Sequence, residues 1–131
     1  MDWRGWAYDA LTFSTAITDV IPVESIYGSG AVEAVPDVKP FMVIRLELQT
    51  PELNHADAPE ITSQFMSLWV HDEPGSYVRI TEVLAVARGI LVGAVVGALA
   101  CAWQGDSGDL ADDTYKTITR NSSYRLLGGV S

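Results

Sequence analysis

A chain of 131 residues that is 48% hydrophobic can bury one core, and no compositional seam marks a second domain. The single cysteine, Cys101, excludes an intramolecular disulfide framework and sits in an apolar run, where it reads as a buried inert thiol. A net charge of −9 argues against direct, salt-dependent binding to nucleic-acid phosphates, although not against lining a passage through which DNA moves.

Trp3, Trp6, Ala10, Phe13 and Ile17 follow steps of three and four, with Asp2 as a cap, so the spacing predicts an amphipathic helix over residues 2–19 whose aromatics cover a sheet. Gly5 weakens its first turn. Val23 to Tyr27 reads as a short edge strand, and Gly28-Ser29-Gly30 as a flexible turn, since it lacks the lysine and following helix of a phosphate loop. A strand over 41–49 places Met42, Ile44, Leu46 and Leu48 on one face and Arg45, Glu47 and Gln49 on the other, which is wet or meets a partner. A second strand over 61–71 puts Met66, Leu68 and Val70 on one side and Phe65 and Trp69 on the other, with Ser63 and Ser67 leaving room for the rings. Between them Thr50 to Glu60, with prolines near both ends and Glu52, Asn54, His55 and Asp57 inside, reads as a long hairpin arm of the kind that carries recognition.

The segment His71 to Tyr77 ends a strand, turns at Pro74-Gly75 and offers Ser76 as a helix cap, with Asp72 and Glu73 near the positive end of the helix dipole. A helix over 77–91 follows, burying Ile80, Val83, Leu84, Ala87 and Leu91 and turning Arg79, Glu82 and Arg88 outward. The run from Val83 to Trp103 holds one charge, and Gly89, Gly93 and Gly97 recur at the four-residue step of membrane-helix dimers. Arg88 within it, its glycines and its clustered valines oppose a membrane span and favour a helix, a Gly-Val loop and a short buried strand over 98–104 through Leu99, Cys101 and Trp103. The start carries no basic, apolar leader, and the expectation is a soluble protein made in the cytoplasm.

Asp106, Asp109, Asp112 and Asp113 crowd a turn from Gln104 to Asp113; their spacing fits no full calcium loop, and a solvated turn is the simpler reading. A last strand over 114–127 carries Lys116, Arg120 and Arg125, with a bend or bulge at Asn121-Ser122-Ser123. It is either a solvated edge or a basic strand that meets the acidic face of a neighbouring copy. With one cysteine and with His55 and His71 lacking any neighbouring signature, no catalytic, cofactor or metal site is predicted and no enzyme is expected. The candidate interface is instead the arm (Glu52, Asn54, His55, Asp57), the acidic turn (Asp106, Asp109, Asp112, Asp113) and the basic residues Lys116, Arg120 and Arg125. These elements sum to an α+β domain with a mostly antiparallel sheet of four to five strands and two helices packed on it.

In its order of elements the chain resembles the tail terminator proteins of long-tailed, siphovirus-like bacteriophages, especially those of actinobacterial hosts. The resemblance rests on Pro40-Phe41 opening a strand, on Leu68-Trp69-Val70-His71-Asp72 leading through Pro74-Gly75-Ser76-Tyr77 into a helix with Ile80, Leu84 and Arg88, and on Trp103, Gly105, Asp106, Ser107, Asp109-Leu110, Asp113, Arg120 and Tyr124-Arg125. It covers most of the chain and departs at the glycine-rich Val92 to Ala98 and at the aromatic start. It implies a hexameric ring in the virion, at the head-proximal end of the tail. Such a ring ends polymerisation of the tail tube protein and offers the joint to the head-tail connector proteins, with DNA passing through its lumen unbound. The rival readings are a head-completion adaptor or stopper of the same neck and a small membrane protein.

Overall fold

The computed structural model describes residues 3–28, 36–51, 61–93 and 100–129, and in it the aromatic start forms two helices rather than one. Helix α1 (Trp3–Phe13) and helix α2 (Thr15–Thr18) are separated by Ser14, whose extended backbone (φ −85°, ψ 121°) breaks the ladder. The break resets the helical phase. Trp3, Ala7 and Leu11 turn inward along α1, Ile17 and Ile21 are buried beyond it, and Phe13, expected in the stripe, is 91% exposed. Asp2 lies outside the described residues.

A single 3-10 turn, Val23–Ser25, leads into strand β1 (Ile26–Tyr27), the edge strand expected here but shorter. Strands β2 (Phe41–Pro51) and β3 (Ile61–Asp72) follow, then helix α3 (Val78–Gly93) and strands β4 (Ala100–Asp106), β5 (Leu110–Asp112) and β6 (Thr117–Gly129). The sheet runs β1-β2-β3-β6-β4, with β5 joining β6 on the same side as β4. Only β1 is parallel to its neighbour; every other pairing is antiparallel. The class is α+β as expected, but the sheet is mixed and open, with six strands and three helices among the described residues.

All three helices lie on one face. Met42, Ile44, Met66, Leu68, Val70, Tyr124 and Leu126 point up from the sheet into Ile80, Val83, Leu84, Ala87 and Leu91 of α3 and into the α1 stripe. Cross-strand pairs Ile44↔Leu68 and Leu46↔Met66 fix the register that the alternating pattern requires. The α3 stripe is as the spacing predicts; the helix runs two residues past Leu91, and Ser76 Oγ accepts the Val78 N–H at its start (3.2 Å). No helix among the described residues is long and apolar enough to cross a membrane.

Three expectations change at the far end of the sheet. Strand β6 is neither an edge nor bent: it pairs with β3 without interruption from Ile118 to Gly129 and with β4 and β5 on its other side. The bulge belongs to β4, where Gln104 is extra between the pairs Trp103↔Tyr124 and Gly105↔Ser123, and Gly105 takes a positive φ of 138° that glycine adopts freely. With β6 inserted beside β3, strand β4 moves to the edge. Cys101 is buried, while Trp103 is 41% exposed rather than part of a buried strand.

Candidate interaction surface

On the face of the sheet away from the helices Arg45 and Glu47 are exposed and Phe65, Trp69 and Arg125 half-buried, while Phe41, Val43, Ser63, Ser67 and His71 are buried. Along it Arg45 stacks over Trp69 with its guanidinium carbon 5.7 Å from the ring centroid, an arrangement that joins the middle of β2 to β3. Trp69 Nε1 donates to Ser67 Oγ (3.0 Å), and Ser67 Oγ donates to Glu47 Oε1 (2.6 Å). Ser63 Oγ accepts from Arg125 Nε at 2.7 Å. The two serines thus give polar partners to this face as well as space, and Phe65 and Trp69 remain half-buried with no helix of the described residues over them.

At the end of this face a small second core closes. His71 lies parallel to its cross-strand partner Phe41 (centroids 4.7 Å apart), and Tyr115 meets both rings edge-on at 5.5 and 5.2 Å. His71 Nδ1 and Thr117 Oγ1 share a hydrogen bond of 2.8 Å. Burial lowers the His71 pKa to about 4; the carboxylate of Asp112 opposes that shift and Arg45 adds to it. Lys116 turns the chain here in a left-handed conformation (φ 57°), and Asp112 Oδ1 accepts the Tyr115 N–H.

The acidic segment is mostly strand rather than a long turn. Asp106, on the helix side, accepts from Trp103 Nε1 (2.9 Å) and from Ser122 Oγ, while Arg88 of α3 covers the Trp103 ring at 4.4 Å. Burial pushes the neighbouring Cys101 thiol up to about 11 and the Tyr124 phenol higher still, so neither is a nucleophile at neutral pH. Arg120 is held from three sides, donating to Ser107 O (3.2 Å) and Thr81 Oγ1 (2.9 Å) and lying 3.5 Å from Asp109. Asp109 and Asp113 stay exposed. Among the described residues no three His, Cys, Asp or Glu side chains gather as a metal site would need.

At the opposite edge of the sheet, α1 and β1 enclose an open groove of about 600 Å³ lined by Arg4, Tyr8, Ile26, Tyr27, Gly28 and Leu46. Gly28 packs flat on Tyr8, where an added Cβ would come within 2.8 Å of the ring. Arg4 is half-buried, and its Nε is buried without a hydrogen-bond partner among the described residues.

Of the residues chosen from sequence, Asp106 and Asp112 end β4 and β5 and Asp109 and Asp113 lie in the segments that follow each, whereas Lys116, Arg120 and Arg125 disperse over a turn and the interior strand. Glu52, Asn54, His55 and Asp57 lie outside the described residues, and Thr50 and Pro51, assigned to the arm, extend the β2–β3 ladder. Sequence reading passed over Arg4; its signal was a lone cation in the first turn of an aromatic-rich helix. No protein-family model matches the chain, and no curated protein matches it in sequence.

Proposed function

We propose that the protein is a structural subunit of a long-tailed phage virion that assembles, as a ring of about six copies, into the cap that ends the tail tube and forms the joint to the head. Two lines support this reading. One is the resemblance in motif order from Pro40-Phe41 to Tyr124-Arg125. The other, which carries it, is a sheet whose described helices lie on one face and whose other face presents half-buried Phe65 and Trp69 beside Arg45 and Glu47 of the neighbouring strand. Half-buried aromatics flanked by charge are the composition of a protein interface. The mechanism is binding and shape, and the acidic chain gives a lumen that repels DNA rather than gripping it.

The test has two parts. Light scattering and electron microscopy of the purified protein should show closed rings of about six copies. A phage lacking the gene, supplied with wild type or with a form carrying Asp106, Asp109, Asp112 and Asp113 changed to Ser, should make normal tails only with wild type. Abnormally long tails or unjoined heads from the altered form support the cap. A protein that stays monomeric at high concentration and is missing from virions overturns it.

A further inference from the structure

The two edges of the sheet carry opposite features. At the β1 edge, Arg4 lines an open groove with Tyr8, Tyr27 and Leu46, and its buried Nε has no hydrogen-bond partner among the described residues. A guanidinium so placed, in a chain with 17 acidic and 8 basic residues, has given up hydration at Nε without gaining a carboxylate there. At the other edge, β4 and β5 lie end to end along β6, with Asp109, 62% exposed, in the connection between them and exposed Asp113 just past β5. Asp106 and Asp112 are already engaged by Ser122, Trp103 and the Tyr115 backbone; Asp109 keeps most of its side chain in solvent although it lies 3.5 Å from Arg120, and Asp113 is exposed.

We infer that the Arg4 groove is the receptor for a second copy of this chain, which places the Asp109 to Asp113 carboxylates of its β4–β5 edge against the Arg4 guanidinium. The occupant follows from charge complementarity and from the strand order. A cationic groove at one edge and exposed carboxylates at the other form a head-to-tail contact, and repeated head-to-tail contacts close into a ring when the rotation between copies permits. The phenol rings of Tyr8 and Tyr27 and the Leu46 side chain supply apolar walls that exclude water from the ion pair, so its strength exceeds that of a surface pair. This inference rests on the ring reading above and names the contact that builds the ring.

Two variants test it, Arg4→Glu and the double change Asp109→Lys with Asp113→Lys, with circular dichroism confirming the fold of each. Alone, each sets like charges against each other at every interface, and each should require about tenfold or more protein to assemble, measured by analytical ultracentrifugation. Mixed in equal amounts, they should recover rings of wild-type mass. In an alternating ring, one contact joins the introduced carboxylate at position 4 to the introduced ammonium groups at positions 109 and 113, and the next joins the native Arg4 to the native Asp109 and Asp113. Rings formed by Arg4→Glu alone at wild-type concentration overturn the contact and leave the ring reading standing. So does loss of assembly in both variants without recovery on mixing. A wild-type protein that never assembles defeats the ring reading itself, and the contact with it.

Discussion

Asp72 and Arg79 clasp each other across the turn between β3 and α3, the carboxylate accepting from Nε at 2.9 Å and from a terminal guanidinium nitrogen at 2.5 Å. Burial alone would raise the Asp72 pKa. The two Arg79 hydrogen bonds and the Glu73 backbone N–H outweigh it and hold the carboxyl below its usual value of 3.8. The pair fixes where the strand ends and at what angle the helix leaves.

Arg79→Ala should therefore destabilise the fold by about 1–2 kcal/mol, the low part of the range for charged hydrogen bonds because the Arg79 side chain is 49% exposed and screened. Arg79→Lys should restore only part, since an ammonium cannot match the two-pronged contact. The folded pKa of Asp72 lies below the unfolded one, so its contribution is present above pH 3.8 and fades as pH falls below that value. Urea unfolding at about pH 7 and about pH 3 should show the gap between wild type and Arg79→Ala narrowing in acid.

Leu84 is 2% exposed at the centre of the α3 stripe, and Leu84→Ala should cost about 2–5 kcal/mol through lost burial and the cavity left. Arg88→Ala, which removes only the stack on Trp103, should cost about 0.5–1 kcal/mol. Equal denaturation midpoints for the two would contradict the packing of this helix. Arg88→Ala should also shift the tryptophan emission, as Trp103 loses its cover.

His71 gives a second acid-sensitive contribution in a different window. Its folded pKa of about 4 lies below the unfolded 6.5, so between those values the unfolded chain binds more protons and stability falls as the pH is lowered. His71→Phe keeps a ring against Phe41 and Tyr115 and removes the titration. The variant should show a flatter stability profile than wild type from pH 6.5 to 4, read by thermal melts, and a parallel decline would assign the acid sensitivity elsewhere.

Gly28→Ala should destabilise by about 1–3 kcal/mol, because the new methyl meets the root of the Tyr8 ring and not a flexible tip. Pairing it with Tyr8→Ala should relieve most of the clash. A melting temperature unchanged by Gly28→Ala would show that Tyr8 moves freely.

What the sequence made legible was whatever a local period encodes. The alternation at Met42, Ile44, Met66, Leu68 and Val70 and the stripe from Ile80 to Leu91 both lie where the spacing put them. The misses share a cause: they depend on which strand neighbours which. Trp103 reads as core in a run of apolar residues, yet it is an edge residue because β6 takes the place beside β3. Arg120 reads as an exposed cation, yet Ser107 and Thr81, brought in by the loop and by α3, hold it. Phe13 reads as the continuation of a stripe because nothing in Ser14-Thr15 announces an extended residue. At the surface the acidic edge was legible as charge; the Arg4 groove was not, since it is made by α1 meeting β1.

The position of β6 also governs when the molecule can exist. Of the six strands among the described residues it is the last to be synthesised, yet it lies between β3 on one side and β5 and β4 on the other. Until Thr117–Gly129 has left the ribosome, β3 has one naked side, Met66 and Leu68 lack their cross-strand partners Tyr124 and Ser122, and β4 lacks its strand partner. The complete sheet therefore requires residues 117–129, which supply the pairing partner of both β3 and β4. A nascent chain stopped before residue 117 would leave the β3 edge unpaired, a template for pairing with other chains.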